Sequence, residues 1–179
     1  MRQAIGVSAN ASTVYATSDD FCRIFTEEMN GLYLLGLLLT ADPGKAEQCF
    51  VAGIGDSVEG NPVFREWARS WARRTIIQRS IGMIEPAQEK LTIAETEPVE
   101  LEIEPRLRTV LKLDALERFV FVMSVLEGYS DHDCSILLEC SRQTLVSARA
   151  RALEHLANAA DIVTTYQDTL QGTYSLASN

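Results

Sequence analysis

Histidine is nearly missing from this sequence of 179 residues, occurring only at His132 and His155. The four cysteines, Cys22, Cys49, Cys134 and Cys140, include no pair at zinc-ligand spacing, so no metal site is expected. So little histidine also argues against nucleophilic catalysis activated by an imidazole. No glycine-rich phosphate loop and no catalytic triad pattern is present, which leaves an enzyme without support and implies no cofactor. The first twenty residues hold no sustained apolar block, so no secretory leader is expected, and with it no disulfide framework. The longest apolar run, Leu32 to Leu39 with Gly36 inside it, falls well short of the ~20 residues that cross a bilayer. A soluble, cytoplasmic protein without membrane insertion is the expectation.

What is present suffices for one ordinary domain or two small ones: 46% of residues are apolar and 23% charged. Collagen-like, mucin-like and wholly disordered chains are excluded by that composition. The net charge of −9 is unevenly placed. Residues 21–84 and residues 106–157 each carry seven Lys/Arg against seven Asp/Glu, whereas 85–105 carries seven Glu against Lys90. The acidity therefore belongs to one connecting stretch and to the tails 1–20 and 158–179, leaving two neutral blocks with local basic stripes.

Glu85-Pro86, Glu97-Pro98 and Glu104-Pro105 punctuate the acidic stretch, and each proline disfavours helix in the residue before it. Like charges extend such a chain, so an extended linker is expected there, with a short strand over 99–104 as the alternative reading. Both flanking blocks show helical periodicity and no strand-forming pattern. The expected fold is all-α: two small helical domains, 21–84 and 106–157, joined by the acidic linker 85–105 and sharing few contacts unless a partner holds them. Phe21 to Leu39 reads as one helix, apolar on most faces at its end. Asp42-Pro43 and Asn61-Pro62 are helix starts, the second opening a helix from Val63 to about Ile84. In the second block Asp114, Ser130 and Ser141 are the expected caps, and Gly128 a helix stop.

Two constellations could carry function. In Phe64–Arg79, five arginines face only Glu66, and helical spacing places Arg65, Arg69 and Arg73 in one stripe. Phe64, Trp67, Ala68, Trp71 and Ala72 fall on another face. Guanidinium groups in a row can track phosphates while aromatic rings stack on bases; the alternative is an amphipathic helix with a tryptophan core and a solvated arginine face. The second constellation, Tyr129 to Leu156, has helix-turn-helix spacing. Cys134, Leu137 and Leu138 are its first inner face; Leu145, Ala148, Ala152 and Leu156 are its second. Arg142, Gln143, Val146, Ser147 and Arg149 then point outward near a helix start, where side chains reach base edges. A plain helical hairpin is the competing reading.

Together these patterns resemble a bacterial RNA polymerase sigma factor of the extracytoplasmic-function type. Region 2 of that family is matched by Leu32-Tyr-Leu-Leu-Gly-Leu-Leu-Leu-Thr-Ala-Asp-Pro43, Ala46-Glu47 and Phe64-x-x-Trp67-x-x-x-x-Ala72-Arg73. Region 4 is matched by Tyr129-Ser130, Leu137-Leu138, Ser141-x-x-Thr144-Leu145-x-Ser147 and Arg151-Ala152. Glu139 stands where that family has glycine in the turn, Val146 where a basic residue is common and Ala148 where arginine is frequent. The resemblance implies core polymerase binding through Ala46, Glu47, Phe50 and Ile54. It implies reading of the promoter −10 element by Arg65, Trp67, Arg69, Trp71, Arg73, Arg74 and Arg79. Arg142, Gln143, Val146, Ser147 and Arg149 would read the −35 element. The implied partners are core RNA polymerase, promoter DNA and an anti-sigma factor. The alternative function is a sigma mimic that binds an anti-sigma factor without recognising DNA.

Overall fold

A computed structural model describes residues 14–87 and 105–158. The interior of the acidic stretch and most of both tails lie outside these residues, and the extended-linker reading falls there. The described residues are all-helical, with no strand beyond one isolated antiparallel bridge between Tyr15 and Phe64.

Helix α1 spans Ser18–Glu27 and opens on a reciprocal cap: Thr17 Oγ1 accepts from the Asp20 amide at 3.2 Å, and the Asp20 carboxylate accepts from the Thr17 amide at 3.0 Å. The expected single helix over 21–39 is instead two. Glu28 leaves helical geometry at φ −106°, ψ 16°, and α2, Met29–Thr40, begins after it. Asp42 caps α3, Pro43–Glu59, accepting from the Lys45 amide at 2.9 Å, with Pro43 in the first turn as expected. Gly53 lets α3 approach α4, where an added Cβ would stand 2.7 Å from Ile76 Cδ1.

Asn61-Pro62 does not start a helix. Residues 63–65 pair with the chain before α1: the Ala16 amide donates to Val63 O at 2.8 Å and the Arg65 amide to Val14 O at 2.9 Å. That long-range pairing takes the Val63 carbonyl, which a helix starting there would offer to the amide of residue 67; the Trp67 amide bonds Phe64 O instead. A single 3-10 turn, Arg65–Trp67, follows, and α4 runs over Ala68–Ile84. It ends at Glu85 in the left-handed region, directly before Pro86.

In the second block α5 is Pro105–Leu111 and α6 is Ala115–Phe121, continued by one wide π turn, Val122–Leu126. Asp114 makes no side-chain cap, contrary to expectation, and Gly128 turns the chain at φ 71°. Ser130 caps α7, Asp131–Leu137, through the Asp133 amide at 3.1 Å. Ser141 caps the helix over residues 142–158, here α8, through the Thr144 amide at 3.1 Å. Such a cap contributes about 1 kcal/mol. The inner faces of α7 and α8 are those the periodicity predicts, with Cys134, Leu145, Ala148 and Ala152 all fully buried.

In the described structure the two blocks also touch one another, through α2. Helix α2 lies between them, packing on α3 and α4 on one side and on α5 and α6 on the other. That position is why its leucines are buried nearly all round, and each buried leucine contributes about 1.5–3 kcal/mol. Arg118 on α6 is buried and donates from Nε to Leu39 O at 3.0 Å, in the last turn of α2. Its Nη1 donates to Leu113 O at 2.8 Å. Arg73 on α4 is bonded to Glu127 beyond the π turn, Nε to Oε2 at 2.7 Å.

Glu139, in the turn between α7 and α8, sits at φ 50°, where an L side chain is strained. Glu139→Gly is expected to stabilise the protein by about 1 kcal/mol, read as a higher midpoint in urea at unchanged slope.

Candidate nucleic-acid interface

The bridge that displaces the expected helix start also builds an aromatic surface. Phe64 stacks on Tyr15 with ring centroids 5.0 Å apart, and Trp67 meets Phe64 edge-on at 5.2 Å. All three rings are exposed, Trp67 at 57%. Phe64 and Trp67 therefore do not share a face with Ala68 and Ala72, which are fully buried, or with Trp71, which packs against the core. The indole nitrogen of Trp71 is buried without a hydrogen-bond partner among the described residues. Tyr15 has no place in the helical pattern of residues 64–79; only the pairing of 14–16 with 63–65 brings it to the site.

The arginines beside these rings are held by carboxylates from other elements. Arg65 Nε donates to Asp20 Oδ2 at 3.1 Å. Asp20 is held below the usual carboxylate range first by its bonds from Thr17, with Arg65 adding to the effect. Arg69 bonds both Glu27, at 2.8 Å, and Glu28, the residue at which α1 and α2 separate. Those two acids raise the Arg69 pKa, Glu28 first. Arg73 faces Glu127 in the second block, and Arg74 is half-buried beside it. Arg79 forms a two-pronged pair with Asp56 on α3, and that bond lowers the Asp56 pKa. The stripe expected from spacing exists as a set of ion pairs along α4 and the turn before it.

On α8 the cap leaves Arg142, Gln143, Val146 and Ser147 exposed near the helix start. Arg142 has an 81% exposed side chain, with Nε 3.8 Å from Asp131 Oδ2. Arg149 is tied more tightly to the same carboxylate, Nη1 to Oδ1 at 2.6 Å, and that bond lowers the Asp131 pKa. Further along, Arg151 Nε donates to Glu117 Oε1 at 2.6 Å, and His155 Nδ1 lies 3.0 Å from the other oxygen of that buried carboxylate. Burial pushes the Cys134 thiol, on the inner face of α7, up to about 11, which keeps it protonated and unreactive.

Of the four residues implied for polymerase binding, Ala46 is fully buried against α2. Phe50 packs edge-on against Phe25 at 5.5 Å, and Ile54 lies against the core. Glu47 alone is exposed; the outer face of α3 also presents Lys45, Gln48 and Val51. No described helix is long and apolar enough to cross a membrane.

No known family model matches the chain, and no curated protein matches it. Among solved structures, the chain is similar to the sigma factor RpoE from Bartonella quintana, crystallised in complex with the anti-sigma factor NepR. The TM-score is 0.47 at 18% identity, covering 80% of this chain and 98% of that one.

The two central arginines of the stripe differ in what their loss exposes. Glu127 has a side chain only 10% exposed, and Arg73→Ala strands its charge. That substitution is expected to destabilise the protein by about 1–2 kcal/mol in urea unfolding. Arg69→Ala breaks only solvent-screened pairs and is expected to leave the unfolding midpoint nearly unchanged.

Proposed function

We propose that this chain is a sigma-like transcription initiation factor that acts in the cytoplasm. It binds core RNA polymerase and directs it to promoter −10 and −35 elements; the polymerase performs the chemistry, and the chain has no catalytic activity of its own. The observation that carries this reading is the exposed Tyr15–Phe64–Trp67 surface with Arg65 and Arg69 beside it. Exposed rings flanked by guanidinium groups are the combination that holds single-stranded bases and their phosphates. The −35 function falls to the first turns of α8, where Arg142 and Gln143 are exposed and suited to two-pronged contacts with guanine and adenine.

On this reading the packed arrangement is a closed state. Elements named for positions −10 and −35 are about 25 base pairs apart by that numbering, about 85 Å at ~3.4 Å per base pair of B-DNA. A globule of this size has a radius of gyration of about 14 Å, too small to reach both. The blocks therefore separate on the promoter, breaking Arg73–Glu127 and Arg118–Leu39.

The second reading, a sigma mimic that engages an anti-sigma factor without touching DNA, is favoured by the ion pairing of the α4 and α8 arginines. Reconstitution separates the two. The chain is expected to co-purify with core RNA polymerase and to support promoter-specific transcription. Trp67→Ala with Arg69→Ala is expected to reduce promoter opening at least tenfold, by about 1.4 kcal/mol or more, at an unchanged melting temperature. Failure to bind core polymerase, with retained binding to an anti-sigma factor, would select the mimic.

A further inference from the structure

One carboxylate governs both arginines at the reading end of α8. Asp131, the first residue of α7, accepts from Arg149 Nη1 at 2.6 Å and from Nη2 at 3.4 Å. Its Oδ2 also lies 3.8 Å from Arg142 Nε, so a single charge faces guanidinium groups seven residues apart on the neighbouring helix. The two arginines are left in different states. Arg149 has a side chain only 28% exposed, whereas Arg142 is 81% exposed and meets Asp131 only at the edge of ion-pair range. The side-chain cap of α7 is Ser130, not Asp131, whose carboxylate is left to face α8.

We propose that Asp131 is a positioning residue that sets the specificity of α8: it withholds Arg149 from DNA phosphates and restrains Arg142 toward base edges. The inference rests on the reading that α8 binds duplex DNA. Phosphate contacts add affinity without sequence information, whereas contacts to base edges discriminate. A helix start whose second arginine is bound to its own protein thus gives up general affinity. What remains is dominated by Arg142 and Gln143. Val146 and Ala150, exposed along the same face, add no charge that would restore phosphate binding.

The test uses the full chain and two probes: a pool of random-sequence duplex DNA, and the duplex that the wild-type chain selects from that pool. Affinity for each is measured across a salt series. Asp131→Asn is expected to bind the random pool about five- to tenfold more tightly at low salt. Its log–log salt slope should steepen by about 0.9, the value for one added phosphate contact, and its preference for the selected duplex should shrink. Asp131→Ser is expected to behave the same way, and Asp131→Glu, which keeps a carboxylate, to retain most of the wild-type discrimination. Adding Arg149→Gln to Asp131→Asn should abolish the gain. If both uncharged variants show wild-type slope and discrimination while the wild type binds DNA, the role of Asp131 is overturned and the DNA reading stands. If no chain binds either probe, the DNA reading of α8 falls, and this inference with it.

Discussion

The buried guanidinium of Arg118 ties the described structure together. A helix C-terminus leaves its last carbonyls unpaired, and α2 ends deep between the two blocks, where water does not readily supply the missing donors. Arg118 reaches from α6 to one of those carbonyls, Leu39 O, and from the same group to Leu113 O in the turn that starts its own helix. A cation there also opposes the negative end of the α2 dipole. Burying a charge is unfavourable unless it is fully engaged, so the position of α6 against α2 is fixed within hydrogen-bond tolerance. The apolar contacts of Leu32, Leu39, Phe119 and Met123 then close into one core spanning both blocks.

From that packing follows the state of the basic surfaces. Arg73 is brought within reach of Glu127 because α6 and its π turn lie against α2, on which α4 also packs. The wide turn matters here: it moves the end of that helix outward by one residue and lets the Glu127 amide bond Val122 O and the Tyr129 amide bond Met123 O. Elsewhere the pairings do not cross between the two blocks: Asp20 with Arg65, Asp56 with Arg79 and Asp131 with Arg149. A chain with a net charge of −9 thus keeps its arginines by pairing each surface cluster with acids held on adjacent helices.

Much of this was legible in the sequence where the signal is local. The caps at Asp42, Ser130 and Ser141 each depend on atoms three residues away, and each forms as spacing predicts. The nearly all-apolar stretch of α2 correctly announced a helix surrounded on most sides, although not by which partners. What escaped depends on distant residues. The 3-10 turn at Arg65–Trp67 exists because 63–65 pair with 14–16, a relation that no periodicity within 64–79 encodes. The carboxylate partners of Arg69 and Arg73 lie 41 to 54 residues away in sequence. Arg118 did leave a trace: it is a charge among Leu116, Phe119, Val120 and Phe121, the pattern of a cation buried for a structural purpose.

The central claim is that in the free chain, without polymerase or DNA, α2 and α6 unfold as one unit because Arg118 and the shared core join them. Native-state hydrogen exchange across a denaturant series tests it most directly. The account predicts that the slowest amides of α2 and of α6 share one opening free energy, equal to that of global unfolding, and that Arg118→Met lowers both together. Amides of α6 to α8 that open at a lower free energy while those of α2 to α4 stay protected would show two independent domains, and would contradict it.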